Sequence, residues 1–126
     1  MPVKFKVQEK ANPQNRDVKK YYVQPVRVGT VKRTQLESEI IDLTSLSKAD
    51  VRGVLVTLSD LIGKYIKLGY NVSIDDVGTL SLRVSSEGSE TAEEVTVDNV
   101  KKTSVGFRAA TSLREGIEKI KFEKVD

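Results

Sequence analysis

The stretch that decides the fold is Ser47–Val84, which reads SKADVRGVLVTLSDLIGKYIKLGYNVSIDDVGTLSLRV. Apolar residues recur at steps of three and four between Val51 and Tyr65, and this spacing predicts an amphipathic helix over Lys48–Leu68. Gly69 directly after it is typical of a helix C terminus. Further apolar residues lie off the main stripe, so one short neighbouring helix would not cover the apolar surface. We therefore expect this helix to bury more than one face.

The residues flanking this helix predict a cap and a hairpin. Ser47 followed three residues later by Asp50 is a capping-box pattern. After the helix, alternation predicts a short strand at Asn71–Ile74 and a longer strand at Gly78–Ser85. Asp75–Asp76 lies between them and is interpreted as the turn. A catalytic carboxylate pair is the less favoured alternative, because adjacent side chains in a turn diverge.

The rest of the chain supplies further strands and short helices. Leu36, Ile40 and Ile41 share one helical face, and Leu113 and Ile117 share another. The remaining patterns predict strands at Val3–Glu9, Lys20–Val28 and Lys101–Arg108, helices at Thr34–Ile41 and around Leu113, and a tail strand within Lys119–Val125. The expected fold class is therefore α+β.

The composition of the chain excludes several classes of protein but does not by itself indicate one. The chain has 126 residues and contains no Cys and no His, so the usual nucleophilic triads and metal ligands are missing. No phosphate-binding glycine loop is present, and no apolar run is long enough for a membrane span. We expect a cytoplasmic protein that is not an enzyme and that uses no metal, cofactor or small-molecule substrate.

The net charge of +3 is unevenly distributed. Residues 1–33 carry a net charge of +7, residues 34–84 of −2, residues 85–99 of −5, and residues 100–126 of +3. Basic ends around an acidic middle predict a basic surface if the fold brings the termini together. The alternative is ordinary solvated surface, which charge alone does not distinguish from a binding site.

The acidic part of the chain follows the second strand of the hairpin. Ser85–Glu94 is polar and contains Gly and Ser, so we predict a mobile loop or arm tip. Val95–Val97 is interpreted as the start of a returning strand. Five acids and no Lys, Arg or Pro lie between Ser85 and Asn99.

Two short motifs resemble the bacterial histone-like HU/IHF family. Members commonly carry G-F-G-T-F with an Arg shortly after, and here Gly78-Thr79-Leu80 and Arg83 match while Val77 replaces the first Phe. A C-terminal F-(K/R)-P-G-(K/R)-x-L pattern is matched at Phe107, Arg108 and Leu113. Ala109-Ala110 replaces the Pro-Gly pair, and Thr111 replaces the basic residue. The resemblance covers about residues 30–120, which divides the chain into an N-terminal β extension, residues 1–29, and an HU-like domain, residues 30–126.

The resemblance implies an intertwined homodimer with a helical base, a three-stranded antiparallel sheet and an arm. It also implies a nucleoid-associated protein that binds double-stranded DNA with little sequence preference and bends it, inserting an arm-tip Pro between base steps. The basic residues expected to contact DNA are Arg83, Lys101, Lys102, Arg108, Lys4, Lys6, Lys19 and Lys20.

The arm departs from the family pattern, and two interpretations follow. In the favoured one, the protein binds DNA through its basic strand residues but kinks it weakly, because an acidic arm without Pro suits neither phosphates nor intercalation. In the other, the scaffold is a protein-interaction module with an acidic arm. The N-terminal strands also allow two roles. They either extend the sheet or cover an exposed edge, which is favoured, or add a basic rim to the DNA-binding surface. Alternation places Lys4 and Lys6 on the solvated face in either case.

Overall fold

A computed structural model describes residues 1–125. It contains two compact units, one formed by Met1–Lys32 with the chain from Glu115 onwards, the other by Arg33–Arg114. The elements are β1 (Val3–Ala11), β2 (Lys19–Pro25), α1 (Arg33–Leu43), α2 (Lys48–Lys67), β3 (Val72–Ile74), β4 (Gly78–Ser86), β5 (Val100–Ala109), α3 (Thr111–Glu118) and β6 (Phe122–Lys124). The described residues thus form three α-helices and two three-stranded sheets, and the predicted α+β class is confirmed.

Helix α2 begins at Lys48 as predicted and ends at Lys67, one residue before the predicted end. The Ser47 hydroxyl accepts a hydrogen bond from the Asp50 backbone N–H at 3.2 Å, and the Asp50 carboxylate accepts one from the Ser47 N–H at 3.4 Å. At the other end Gly69 has φ of 90°. Its N–H donates to the carbonyl of Ile66, and the N–H of Tyr70 donates to that of Tyr65. The carbonyls of Tyr65 and Ile66 are therefore satisfied by a Schellman motif, which needs a residue in the left-handed region.

The second unit contains the antiparallel sheet β3-β4-β5. Asp75–Asp76 forms the turn between β3 and β4, as predicted, and Asp76 adopts φ of 68°. Asp tolerates this left-handed conformation better than most residues because its short side chain bonds locally. The turn is closed by the Val77 N–H, which donates to the Ile74 carbonyl at 3.0 Å.

The first unit contains a separate sheet of order β2-β1-β6. The expectation that the N-terminal strands extend the other sheet is wrong, because β1 pairs antiparallel with β2 and parallel with β6. The predicted tail strand exists as β6, and it brings the basic N-terminal and C-terminal segments into one unit. Sequence alternation specified the faces of β1, but strand partners are chosen by tertiary contacts.

The core of the second unit is thin. Val51 and Ile66 of α2 are the buried apolar residues among those described, and Leu55 and Ile62 are half-buried. Other apolar residues of the predicted stripe stay exposed in the single chain, namely Val54, Leu58, Leu61 and Tyr65. Among residues 1–125, no helix has the length and apolarity that crossing a membrane requires.

Candidate nucleic-acid interface

Three predicted contact residues share the polar face of β4 and β5. Strand register pairs Thr79 with Arg108, Arg83 with Ser104, and Ser85 with Lys102. Paired residues in an antiparallel sheet point to the same side, and positions two apart along a strand do so as well. Arg83, Lys102 and Arg108 therefore lie on one face, which the small polar residues around them leave open.

Arg83 lies across a glycine of the neighbouring strand. A Cβ at Gly106 would collide with Nε, Cδ and Cζ of Arg83, so only glycine leaves room for the guanidinium against β5. Gly106 is accordingly buried although it lies on an edge strand. Sequence reasoning did not identify Gly106 as part of the site. A glycine inside a strand pattern is the available signal, since it commonly marks close approach by another group.

Lys101 is placed differently from Lys102. The register shifts between Ser85 and Ser86, so β5 carries a β-bulge at Lys101. The Lys101 ammonium lies 3.7 Å from the Glu87 carboxylate, and both side chains are more than half exposed. Such an exposed pair adds little stability, but it offsets the charge that Lys101 offers to a phosphate.

The arm between β4 and β5 is built around Asn99. Its side-chain amide donates to the Glu87 carbonyl at 3.0 Å and to the Ser89 hydroxyl at 2.9 Å, while its side-chain oxygen accepts from the Thr96 N–H at 2.9 Å. The Glu87 N–H in turn donates to the Asn99 carbonyl at 2.8 Å. The expectation of a returning strand at Val95–Val97 is wrong, because the arm instead forms short 3-10 turns at Ala92–Glu94 and Val97–Asn99. One side chain thus organises the arm that composition alone predicts to be mobile.

The arm surface is acidic and partly apolar. Among the described residues, Glu87 is the one arm acid with an ion-pair partner; the others, Glu90, Glu93, Glu94 and Asp98, form no salt bridge. Val97 is 82% exposed beside them. This surface does not attract phosphate by charge.

Arg108 also borders a concavity of about 620 Å³ at the start of α3. Arg114 lines the same concavity and donates a hydrogen bond to the Thr111 hydroxyl at 3.3 Å. Asp75 and Asp76 line it too, so positive and negative side chains balance there. The open face of the sheet is therefore a better phosphate surface than this concavity.

The N-terminal lysines divide between the two faces of the β2-β1-β6 sheet. Lys4 and Lys6 lie on one face of β1, and register with Lys10 places Lys20 on that face too. Lys19 pairs with Ala11 and lies on the opposite face, where its ammonium is 3.3 Å from the Glu9 carboxylate. Lys4, Lys6 and Lys20 are brought together in this unit, and Lys19 is not.

Glu37 is a buried charge that sequence reasoning missed. Its carboxylate is the centre of a cluster in α1 and α2, with Arg33 Nε at 3.2 Å from Oε1 and Arg52 Nη2 at 3.5 Å from Oε2. Glu37 is 1% exposed, whereas both arginines are about half exposed. Oε1 has no hydrogen-bond partner of good geometry, so the Arg33 contact is mainly electrostatic. No group of His, Cys, Asp and Glu in residues 1–125 is placed to hold a metal ion.

An apolar face lies behind the basic one on the β3-β4-β5 sheet. Leu82 pairs with Val105, and Leu80 pairs with Phe107, so their side chains share the face opposite Arg83. Val84 lies on this face too, two residues beyond Leu82. Four residues of the face remain exposed in the single chain, namely Leu82, Val84, Val105 and Phe107. The unit is therefore two-sided, with one face suited to anions and one to apolar packing.

The second unit, residues 33–114, contains a pair of helices, the β3-β4-β5 sheet with its basic face, and the arm. We refer to it as the HU-type unit because it contains most of the motifs that resemble the HU/IHF family. The chain belongs to the family described as "HU-HIG: HU domain fused to wHTH, Ig, or Glycine-rich motif", which it matches over residues 1–124. The predicted resemblance is thereby confirmed. The match includes the N-terminal strands, which the sequence motifs did not cover.

The fold is also similar to that of a solved structure from Bacteroides vulgatus ATCC 8482, described as a "Putative bacterial DNA binding protein". The two share a TM-score of 0.69 and 8% sequence identity over 98% of this chain. This chain spans about half of that protein, 48% of its length. No match to this chain was found among the curated proteins.

Proposed function

We propose that this protein is a non-enzymatic, nucleoid-associated DNA-binding protein that contacts duplex phosphates with little sequence preference. The observation that carries the proposal is the common face of Arg83, Lys102 and Arg108 on the β4–β5 ladder. Membership of an HU-type family and a fold shared with a described DNA-binding protein support it. Arginine and lysine on an open strand face suit backbone contacts, which confer affinity without reading sequence.

The proposed duplex contacts are graded by the surroundings of each side chain. Arg83, Lys102 and Arg108 are the principal contacts of the HU-like domain, residues 30–126. Lys101 contributes less, because Glu87 lies beside it. Lys4, Lys6 and Lys20 are further candidates on the separate β2-β1-β6 sheet. Lys19 is the weakest candidate, because Glu9 lies beside it.

Kinking of the bound duplex is expected to be weak. The arm contains no Pro, Lys or Arg, and four of its acids have no ion-pair partner among the described residues. Negative charge near phosphates is repelled, and HU-type kinking depends on a wedge inserted between base steps. The arm therefore limits rather than drives bending.

We also propose that the working form is an intertwined homodimer. The exposed apolar residues of α2 and of the sheet form faces that a single chain leaves in water. Val54, Leu58 and Leu61 line a groove of about 500 Å³ along α2 together with Gly53. Contiguous apolar surface of this kind marks an interface. A second copy is the occupant that the family resemblance predicts.

Duplex binding measured against salt tests the main proposal. Three or four phosphate contacts predict that log affinity falls linearly with log salt, with a slope of about −3 to −4. Deleting residues 86–94 is expected to preserve or strengthen binding, because it removes acids. Undetectable affinity at about 50 mM salt, where phosphate contacts are strongest, would contradict the proposal.

The second candidate is a protein-interaction module. Its support is the arm, where Val97 is exposed among acids that have no ion-pair partners in the described part of the chain. An acidic, partly apolar knob suits a basic protein surface. If duplex binding is absent while deletion of residues 86–94 abolishes binding to a partner protein, this candidate replaces the first.

A further inference from the structure

The β2-β1-β6 sheet carries a lysine-rich face that is distinct from the HU-type surface. We define the lysine face as the side of β1 and β2 that bears Lys4, Lys6, Lys10, Lys20 and Tyr22. Register pairs Lys6 with Gln24, Gln8 with Tyr22, and Lys10 with Lys20, so these side chains point the same way. Glu9, the one acid of β1, lies on the other face with Lys19.

The pairing of Lys10 with Lys20 carries a cost that a ligand would remove. These two residues lie directly opposite each other in the antiparallel ladder, and like charges in that position destabilise a sheet. No carboxylate in the described chain forms a salt bridge with either lysine. An anion between the two ammonium groups converts their repulsion into two attractions.

An aromatic ring lies beside this lysine pair. Tyr22 is 48% exposed, and the Lys10 ammonium is 5.7 Å from the centre of its ring. Lys10, Lys20 and Tyr22 line a concavity of about 330 Å³ with Ala11–Pro13. A flat aromatic surface next to two cations is suited to a base and the phosphate attached to it.

The lysine face is also long enough to bind several nucleotides of a single-stranded nucleic acid. From Lys4 to Lys10 the distance is about 20 Å, at about 3.3 Å per residue along β1. Glu123 of β6, which pairs with Lys4, is the one acid among the strand residues on this side. The unstacked bases of a single strand can lie on this open sheet, whereas the bases of a duplex are stacked inside the helix.

We propose that the lysine face binds single-stranded nucleic acid, with Tyr22 stacking on a base and Lys6, Lys10 and Lys20 contacting phosphates. The chain then carries a duplex surface centred on Arg83, Lys102 and Arg108 and a single-strand surface on the N-terminal sheet, where Lys6 and Lys20 are also candidate duplex contacts. This binding does not depend on the duplex contacts of Arg83, Lys102 and Arg108.

Fluorescence anisotropy of the full chain with an oligothymidylate of about 12 nucleotides, within the usual site sizes, tests the proposal. The double variant Lys10→Gln/Lys20→Gln is expected to reduce the salt slope by about 1.4, at about 0.7 per phosphate contact on a single strand. The matched control is Lys19→Gln/Lys124→Gln, which changes net charge equally. Lys19 pairs with Ala11 and Lys124 pairs with Phe5, so both lie on the opposite face and this control should leave the single-strand slope unchanged. Equal losses in the two variants would show that net charge, rather than the lysine face, drives binding.

The tyrosines provide a second matched pair. Tyr22→Leu is expected to weaken oligothymidylate binding about tenfold, because it removes one stacked base. Tyr21 lies opposite Glu9 on the other face, so Tyr21→Leu should change affinity less than twofold. Similar effects of the two substitutions would overturn the stacking role.

A stability measurement separates binding from folding. In the absence of nucleic acid, Lys10→Gln/Lys20→Gln is expected to raise the melting temperature by about 1–3 °C, since it relieves the like-charge pair. A lower melting temperature with weaker binding would mean that the lysines only support the sheet, and would overturn the proposal. If the chain binds oligothymidylate but not duplex, the lysine-face proposal stands and the proposed duplex function fails. If it binds duplex alone, the reverse holds.

Discussion

The two sheets of this protein have the same number of strands, but the units that contain them differ in net charge. Each has three strands, with most of its basic strand residues on one face and exposed apolar residues on the other. In the β2-β1-β6 sheet the second face also bears the Lys19–Glu9 pair. The unit with the β2-β1-β6 sheet contains eleven Lys/Arg and six Asp/Glu, a net charge of +5, whereas the HU-type unit contains ten and twelve, a net charge of −2. The unit that contains most of the HU-like motifs is therefore the less basic part. Its proposed duplex affinity depends on where a few cations lie, not on net charge.

The apolar faces of the two sheets provide the largest expected difference. Val105 on β5 and Val23 on β2 are both edge-strand valines on apolar faces, 57% and 59% exposed. If the HU-type unit dimerises through its sheet, Val105→Asp places an unpaired carboxylate in the interface and should weaken the dimer roughly 100-fold or more, about 3 kcal/mol. Sedimentation measures the loss.

Val23→Asp is the control for that experiment and should leave the dimer intact. A wild-type chain that sediments as a monomer and melts independently of concentration would contradict the dimer itself. Dissociation by Val23→Asp alone would assign the interface to the other sheet.

The basic face of the β3-β4-β5 sheet differs from the lysine face in that Gly106 makes room for Arg83. Gly106→Ala forces Arg83 away from β5, so duplex affinity should fall about tenfold, as for loss of a charged phosphate contact. Arg83→Gln should produce a similar loss. The double variant should lose little more, because both changes remove one contact.

Gly88→Ala is the matched glycine control, since a Cβ there meets no atom within 4 Å. Duplex titrations of the four variants provide the comparison. Additive losses in the double variant would show that Gly106 acts on folding and not through Arg83.

Asn99 tests whether the arm is held in one conformation. Asn99→Ala removes the hydrogen bonds that join Glu87, Ser89 and Thr96, each contributing about 1 kcal/mol. Hydrogen exchange at the Thr96 amide should accelerate about tenfold or more while the amides of β1 stay unchanged. Unchanged exchange in the arm would mean that Asn99 does not organise it.

The smallest effect concerns two neighbouring lysines. Lys102→Gln should reduce the duplex salt slope by about 0.9, the share of one phosphate contact. Lys101→Gln should reduce it less, because Glu87 already offsets its charge. A larger effect at Lys101 would show that the Glu87 pair opens when DNA binds. Binding isotherms at several salt concentrations measure both slopes.

Local pattern predicted those elements whose causes are local. The capping box at Ser47 and the positive-φ stop at Gly69 depend on residues within one helical turn, and both are confirmed. The turn at Asp75–Asp76 is likewise a short-range feature. The prediction of a strand at Val95–Val97 was wrong. The hydrogen bonds of Asn99, which reach back to Glu87, outweigh the strand propensity of valine.

The site was predicted less completely than the fold. Alternation placed Lys4 and Lys6 on a common face, but the role of Gly106 depends on a side chain from another strand. The burial of Glu37 likewise depends on Arg52, which lies 15 residues away. Such residues are recognised only when the packing partner is known.

The sequence by itself determined the helix and strand periods, the helix caps and the family, because these follow from spacing within short segments. Tertiary structure decided that the N-terminal strands form their own sheet with the tail, that Lys20 lies opposite Lys10, and that Lys101 lies in a bulge beside an acid. The physical reason is register. A shift of one residue moves a strand side chain to the opposite face, and strand pairing across the chain sets that register.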